Sequence, residues 1–207
     1  MTSTPERTAG NPRRRARWWK VVGGVTVVVI IGWLVYVSVN IVAPRQGDLD
    51  SPRDVVVSLA PQESRLPMAQ QLIAEGIADT LVISYFAHDP MNHIAAPTDG
   101  MVPLSNYCEP SEEPDILCFT PEEDSTLGEA LAISDLVKDN SWDSLTVVTD
   151  PFHAFRTRYI YDQCLDGDVE INIVFSERDL NISEWAWHVV YENAAFLKAA
   201  WETTTRC

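Results

Sequence analysis

The stretch Ser144-Leu-Thr-Val-Val-Thr-Asp-Pro-Phe-His-Ala-Phe-Arg156 decides the fold. Its first six residues are mostly apolar or β-branched, and they predict a buried strand that ends at Thr149. Asp150 and Pro151 have the residue types that begin a helix, as the N-cap and the first helical position. A buried strand that leads directly into a helix is typical of a parallel sheet, because parallel strands are joined by helical crossovers.

The same alternation extends to both sides of this stretch. The predicted strands are 54–59, 80–84, 115–118, 144–149 and 169–175, and the predicted helices are 63–75, 126–140, 151–164 and 183–203. The sequence therefore predicts an α/β domain of Rossmann-like type, in which helices cover both faces of a doubly wound, mostly parallel sheet in three layers. Residues 85–113 are predicted to be irregular, and loops of that length are often functional.

An apolar segment without charged side chains precedes this domain, at residues 21–42. Its 22 residues would span roughly 33 Å as a helix, slightly more than a hydrocarbon core of about 30 Å. Trp18 and Trp19 lie where an interfacial aromatic belt would lie. A cleaved signal peptide is the alternative, but its apolar region would be shorter, and Ile41 is not the small residue expected two positions before a cleavage site at Ala43. We therefore expect one retained transmembrane helix.

The charge distribution predicts the orientation of that helix. Residues 1–20 carry six Lys/Arg and one acid, so the positive-inside rule places them in the cytoplasm. Residues 43–53 then form a linker to an extracytoplasmic domain at 54–207. Residues 45–207 hold 9 Lys/Arg and 29 Asp/Glu, a net charge of −20 against −15 for the whole chain. Such a domain repels nucleic acid and anionic headgroups, so no nucleic-acid partner is expected. The segment 21–42 is expected to contact the lipid bilayer.

Four cysteines follow the membrane segment, at Cys108, Cys118, Cys164 and Cys207. An oxidising compartment permits disulfides, and four cysteines allow three connectivities. The pairs Cys108–Cys118 and Cys118–Cys164 are both reasonable, and the sequence leaves them open. No CxxC spacing is present and the histidines are not placed to complete a zinc site, so no metal is predicted.

Polar side chains after the strands lie at the edge where a doubly wound sheet binds its ligands. His153 and Arg156 share one helical face near a helix N-terminus, where basic groups and N–H donors favour an anion, and His153 is also suited to proton transfer. The alternative is that His153 caps locally and Arg156 pairs with one of the many carboxylates. Thr126-Leu-Gly-Glu129 fits a capping box, with Thr126 as N-cap, or else it places Glu129 at the same edge.

This order of elements resembles the bacterial YdcF/SanA/ElyC family of envelope-associated proteins. The resemblance covers about 54–199, and its strongest matches are Asp124-Ser-Thr-Leu-Gly-Glu-Ala130 and Val147-Val-Thr-Asp-Pro-Phe-His-Ala-Phe-Arg156, with Arg65 and Tyr191-Glu192 in the first and last helices. The family implies a Rossmann-like fold, a pocket at the strand ends and a role in wall or peptidoglycan-related processes. It supplies no established reaction, and the cofactor stays unknown.

The sequence departs from the family pattern in three segments. Ser58-Leu-Ala60 follows the first strand where the family usually has glycines, and Tyr85 and Phe86 replace glycines after the second. Ala130 replaces the usual asparagine after the motif glutamate. Glycine lets a ligand approach the backbone closely, so we expect a narrower pocket here.

The sequence as a whole predicts a membrane-anchored domain that binds a small anionic ligand, nucleotide-like or sugar-phosphate, and leaves open whether it is an enzyme. The expected site residues are His153 and Glu129 for proton transfer, and Arg156, Thr149, Arg65, Thr126 and Ser84 for ligand contact. No G-x-G-x-x-G or P-loop motif is present, so a standard dinucleotide or NTP site is not expected. The competing hypothesis is a catalytically silent envelope interaction module that uses the acidic surface and residues 85–113.

Overall fold

The computed structural model describes residues 12–86, 93–95, 101–103, 108 and 116–207. The helices are α1 (Pro12–Val42), α2 (Gln62–Ala74), α3 (Thr126–Asn140), α4 (Ala154–Cys164) and α5 (Ile182–Arg206). The strands are β1 (Val55–Ser58), β2 (Leu81–Ser84), β3 (His93–Ala95), β4 (Met101–Pro103), β5 (Ile116–Phe119), β6 (Ser144–Thr149) and β7 (Glu170–Phe175). The predicted elements are present with small shifts at their ends, except that the first turn of the predicted helix at 151 is a 3₁₀ turn, Pro151–His153.

Five strands form one sheet in which every pairing is parallel, in the order β5-β2-β1-β6-β7. The chain begins in the middle at β1, moves outward through β2 to β5, and then returns across the sheet to β6 and β7. The carboxyl ends of β1 and β6 therefore lie side by side, while the chain leaves them in opposite directions. In open α/β sheets a crevice forms at such a point.

The strand residues divide between two hydrophobic clusters. Val55 and Val57 pack with side chains of α3 and α4, including Ile133 and Tyr161. Val56, which points to the other face, packs with Leu66 and other side chains of α2. Both faces of the sheet are therefore covered, which explains why the strands are continuously apolar rather than alternating.

Part of the segment predicted to be irregular is ordered as strand. His93–Ala95 and Met101–Pro103 pair as a separate antiparallel ladder. The prediction of irregular structure is therefore wrong for these six residues. Apart from Tyr85, Phe86 and Cys108, the rest of 85–113 lies outside the described residues.

One helix in the described part of the chain is long and apolar enough to cross a membrane. Its candidate span is Trp18–Val42, with 25 residues and a mean hydropathy of 2.4. By length and composition this segment fits either a membrane anchor or a signal sequence. The chain divides into two compact units, and the second, Val39–Cys207, contains the sheet and helices α2 to α5.

Residues within the predicted linker are attached to the edge strand β7. The side-chain amide of Gln46 donates to the Phe175 carbonyl at 3.2 Å and accepts from the Phe175 N–H at 3.1 Å. The N–H of Asp48 donates to Oδ1 of Asn172 at 2.9 Å. Gly47 lies between these contacts, and a Cβ at this position would collide with Asn172. This close approach requires glycine.

The cysteines form two disulfides, Cys108–Cys118 and Cys164–Cys207. The first pairing is one of the two that the sequence suggested, and it is confirmed. The pairing of Cys118 with Cys164 is wrong. Cys118 lies in β5 at one edge of the sheet, whereas α4, which ends at Cys164, packs on β7 at the other edge and on α5, which is followed directly by Cys207.

Candidate functional site

A pocket of about 350 Å³ opens where the parallel strands end. Its walls come from the loops after β1 and β2, the start of α3, the turn after β6, and one face of α5. Phe86 lines this pocket, while Tyr85 packs against the hydrophobic cluster under α2. Tyr85 and Phe86 therefore leave a cavity within the size range of small-molecule sites.

Four of the predicted site residues line this pocket: Arg65, Thr126, His153 and Arg156. The other three, Ser84, Glu129 and Thr149, are buried and are not among the lining residues. Glu129 lies directly beneath the lining, because its Oε1 accepts a hydrogen bond at 2.8 Å from the N–H of Ala60, which does line the pocket.

Helix α3 begins one residue earlier than the capping pattern predicts. Ser125 has extended backbone angles and is the N-cap, and its hydroxyl accepts from the N–H of Gly128 at 3.1 Å. The prediction of Thr126 as N-cap is therefore wrong, and Glu129 does not occupy the third helical position of a capping box. Gly128 permits this start, since a Cβ there would collide with the carbonyl of Glu123. The hydroxyl of Thr126 and the carboxyl of Glu129 are thereby released for other contacts.

A cluster of four polar side chains forms one wall of the pocket. Arg156 donates from Nε to Oε2 of Glu192 at 2.7 Å and from Nη2 to Oε1 at 3.0 Å. Its Nη2 also lies 2.9 Å from Nδ1 of His153, and His153 Nε2 lies 3.0 Å from Oγ1 of Thr126. The alternative in which Arg156 pairs with a carboxylate is thus the arrangement found, although Arg156 also lines the pocket. His153 makes no side-chain cap at the start of α4.

The hydrogen-bond network assigns the protons of this cluster. Arginine can only donate, so Nδ1 of His153 accepts from Arg156, and the ring proton is on Nε2. That N–H donates to Oγ1 of Thr126, which also accepts from Nη1 of Arg156 at 3.2 Å. If His153 activated Thr126 as a nucleophile, Nε2 would have to accept the hydroxyl proton, and the ring proton would have to be on Nδ1, which lies 3.3 Å from Oε1 of Glu192. That is the opposite tautomer. In this tautomer His153 cannot remove the proton of Thr126, and the hydroxyl hydrogen of Thr126 is the donor that the cluster leaves for a ligand.

Burial and neighbouring charges fix the ionisation of the cluster near neutral pH. Burial and, after it, the positive charge of Arg156 lower the pKa of His153 to about 4, against the opposing effect of Glu192. Burial tends to raise the pKa of Glu192, but the guanidinium of Arg156, which donates two hydrogen bonds to this carboxylate, holds it below its usual value. His153 is consequently neutral, and Arg156 and Glu192 form an ion pair.

A second ion pair joins Arg65, which lines the pocket, to the buried Asp150. Oδ2 of Asp150 accepts from Nε and Nη2 of Arg65 at 2.9 and 2.8 Å, while Oδ1 accepts from Ser64 and Arg178 at 2.8 and 3.3 Å. Arg65 also donates to the carbonyl of Ala60. The prediction that the side chain of Asp150 caps the following helix is wrong, because these charge-assisted bonds to a buried guanidinium are stronger than a cap.

Two carboxylates of this site lie outside the set of residues that the sequence predicts, Asp150 and Glu192. The residue types around Asp150 predict it only as a cap, and Glu192 belongs only to the Tyr191-Glu192 pair of the family resemblance. The signal for Asp150 is its position directly after β6, and the signal for Glu192 is a charged residue on the same helical face as the buried Phe196 and Ala199.

The lining of the pocket is less acidic than the domain around it. Of the nine Lys/Arg in residues 45–207, three line the pocket: Arg65, Arg156 and Lys198. They are balanced by three lining carboxylates, Asp124, Glu192 and Glu202. The first turn of α3 adds backbone N–H groups, which have no partners within their own helix. Within a domain that carries a net charge of −20, hydrogen-bond donors are therefore concentrated at this pocket.

The buried Glu129 makes the stability of the chain depend on pH. Burial raises the pKa of Glu129 from 4.5 to about 7, only partly offset by Arg65 and the N–H of Ala60. The folded state therefore holds this proton more tightly, and the resulting stabilisation is present below pH 4.5 and lost as the pH rises to about 7. Glu129→Gln cannot ionise and can still accept from Ala60. We expect the variant to exceed the wild type in free energy of unfolding at pH 8 by on the order of 2–3 kcal/mol.

Urea unfolding of the detergent-solubilised chain from pH 4.5 to 8 measures this difference, which should shrink toward the acid end. Glu75→Gln, at an exposed position in the turn after α2, is the control and should change little across the same range. A Glu129→Gln variant that is less stable than the wild type at pH 8 would contradict the assignment.

The chain matches no protein-family model and no curated protein sequence. Its site is therefore described by its own geometry: a small pocket at the strand ends, lined by two arginines in ion pairs, a neutral histidine and a helix N-terminus.

Proposed function

We propose that this chain is a single-pass membrane-anchored protein whose extracytoplasmic, Rossmann-like domain binds a small anionic ligand, nucleotide-like or sugar-phosphate, in a cell-envelope process. The observation that carries the proposal is the pocket itself, where Arg65, Arg156, Lys198 and the first turn of α3 converge. Donors gathered at the strand ends of a parallel sheet are suited to phosphate, because the helix dipole and free N–H groups both favour negative charge.

The fold and the location in this proposal rest on separate observations. The strand order, with β1 and β6 adjacent and connections leaving in opposite directions, supports the doubly wound arrangement that the YdcF-like resemblance implies. Two disulfides and no free cysteine in the described residues support an oxidising compartment. The basic residues before the apolar helix support an N-terminus in the cytoplasm.

The pocket also restricts what the ligand is. A volume of about 350 Å³ lies at the small end of ligand sites, which suits one sugar phosphate or one mononucleotide better than a dinucleotide. His153 is neutral and donates through Nε2, so it is a hydrogen-bond donor in this state rather than a base. Binding is accordingly the function that the geometry supports best.

We expect phosphorylated ligands to stabilise the chain and their neutral counterparts to do so much less. The measurement is the thermal shift of the full-length chain in detergent with a nucleoside diphosphate, a sugar phosphate and a sugar nucleotide, each beside the free nucleoside or sugar. Lys198→Ala should weaken binding of the phosphorylated ligand about tenfold, because it removes the most exposed of the three lining cations.

Lys138→Ala is the matched control. Lys138 is likewise an exposed lysine that lies 3.6 Å from a carboxylate, here Asp166, and it does not line the pocket. No shift with any phosphorylated ligand, or equal losses in the two lysine variants, would contradict the binding proposal and favour the catalytically silent interaction module. A cytoplasmic C-terminus, read from a phosphatase fusion after Cys207, would contradict the envelope part of it.

A further inference from the structure

Helix α5 is apolar on two opposite faces. Its inner face, with Phe196, Ala199 and Thr203, is buried in the domain. Its outer face carries Trp187, Val190, Ala194, Leu197 and Trp201, which are called here the α5 stripe. Trp187 is 65% exposed, Val190 67%, Leu197 56% and Trp201 76%, and Ala194 is exposed as well. Exposed apolar patches with several large side chains mark interaction surfaces.

The spacing of the α5 stripe is that of a helix that packs against another helix. Its residues follow one another at intervals of three, four, three and four, which is the heptad pattern of positions a and d. At 100° per residue they centre on the side of α5 opposite Phe196 and Thr203. The stripe covers about 21 Å at 1.5 Å per residue. Among the residues that the structure describes, nothing covers it.

We propose that the α5 stripe binds α5 of a second copy of this chain in antiparallel orientation, which makes a two-fold symmetric dimer. In that register a positions face d positions, so Trp187 packs on Leu197 of the other copy and Val190 packs on Ala194 of the other copy. Each contact occurs twice, because the symmetry repeats it. In the same register Trp201 falls opposite Ser183, in the first turn of the other α5, so each tryptophan of the stripe meets a smaller side chain.

The charges beside the stripe are complementary in the same register. Glu184 and Lys198 both occupy heptad position e, the position directly after d. In an antiparallel helix pair, the e positions of one helix face the e positions of the other. Glu184 of one copy therefore faces Lys198 of the other, twice per dimer. Within one chain Glu184 accepts from the N–H of Asn181, and Lys198 lies 3.6 Å from Glu202, so both charges are held near this edge of the helix.

The area and the charge pattern of α5 favour a second copy over a lipid surface. Tryptophan buries about 150–250 Å² when covered, so four tryptophans with the valines and leucines approach the roughly 1,000 Å² that a specific interface needs. The net charge of −20 on the domain opposes both occupants, so the choice rests on Glu184 and Lys198, for which a second copy supplies partners of opposite charge in register. A shared membrane would also raise the effective concentration of the two copies.

The test is the molar mass of the full-length chain in a neutral detergent, measured by light scattering over a range of concentrations. We expect a dimer for the wild type and at least a tenfold weaker dimer for Leu197→Glu, which places a charge in the centre of the stripe. Ile182→Glu is the control: it lies on the same helix and is more exposed, but it is off the stripe, and it should leave the dimer intact.

A charge exchange tests the register. Glu184→Lys and Lys198→Glu should each weaken the dimer about two- to tenfold, because each variant places like charges together. An equimolar mixture of the two variants should recover the wild-type affinity, which misfolding of either variant cannot mimic. A dimer that survives Leu197→Glu, or a mixture that recovers nothing, overturns the proposal. A monomeric wild type whose binding to liposomes is lost in Leu197→Glu overturns it in favour of a lipid occupant.

Discussion

Asp150→Asn is expected to lower the free energy of unfolding by about 3–5 kcal/mol, the cost of removing one partner from a buried ion pair. The substitution keeps the shape of the side chain and removes its charge. Arg65 is almost fully buried, and it would be left without the carboxylate that accepts two of its hydrogen bonds. The amide that replaces one oxygen of Asp150 also donates, so it faces donors on Arg65 and Ser64.

Chemical unfolding of the detergent-solubilised chain measures this loss at pH 7. Asp166→Asn is the control, because Asp166 is an exposed carboxylate paired with Lys138 at 3.6 Å, and such changes stay within about 0.5 kcal/mol. Burial acts to raise the pKa of Asp150, but Arg65 and its other partners hold it below 3.8. The stabilisation by this ion pair is therefore present above pH 3.8 and lost as the pH falls further. If Asp150→Asn lowered the free energy of unfolding by less than about 1 kcal/mol at pH 7, the pair would contribute little to stability.

Removal of the disulfide between Cys164 and Cys207 is expected to cost about 4 kcal/mol. The two cysteines are 43 residues apart, and the loss of chain entropy in the unfolded state grows with the length of the closed loop. The bridge also joins the ends of α4 and α5, and α5 carries Glu192 and Lys198 of the pocket. The double variant Cys164→Ala/Cys207→Ala should therefore lose stability and bind phosphorylated ligands more weakly.

The matched comparison is Cys108→Ala/Cys118→Ala, which opens a loop with a sequence separation of only 10. The same entropic relation gives about 3 kcal/mol for this bridge, and its removal leaves α5 attached to the domain. Unfolding in urea without reductant, with a thiol assay on each variant, separates the two bridges. A Cys164/Cys207 variant as stable as the wild type would contradict the role assigned to its disulfide.

Local chemistry explains which parts of the fold the sequence could predict. The strands β1, β2 and β6 are short runs of Val, Ile and Leu, and their ends were predicted within one residue because burial on both faces demands continuous apolar character. Helix α3 was predicted at Thr126–Asn140, as found. The antiparallel ladder of β3 and β4 was missed, because three-residue strands in a proline-rich segment carry little periodicity.

Two local predictions failed where a side chain had a choice of partners. Ser125 and Thr126 are both able to cap a helix, and the close contact of Gly128 with Glu123 selects Ser125. Asp150 is a suitable cap by type and position, but a buried guanidinium offers it stronger bonds than a backbone N–H. The competing partner, Arg65, is 85 residues distant in the chain.

The His153/Arg156 pair was predicted from helical spacing alone, and the structure brings the two side chains into contact at 2.9 Å. The orientation of Arg156 depends on Glu192, which is 36 residues further along the chain and reaches Arg156 only because α5 packs across α4. The contact with Glu192 orients the guanidinium of Arg156 so that it donates to Nδ1 of His153. The ring proton of His153 is therefore on Nε2. No spacing rule in a single sequence contains this information.

The stretch from Ser144 to Arg156, by itself, determined that a buried strand leads into a helix and that basic side chains follow the strand. These features depend on interactions between near neighbours in the chain, and residue type and spacing are sufficient to specify them. Only the tertiary structure specifies four further features: the strand order, the release of Thr126 and Glu129 from capping, the ion pairs of Arg65 and Arg156, and the exposed α5 stripe. Each of them depends on which distant residues share a buried space, because burial determines which polar groups must be paired and which apolar face remains uncovered.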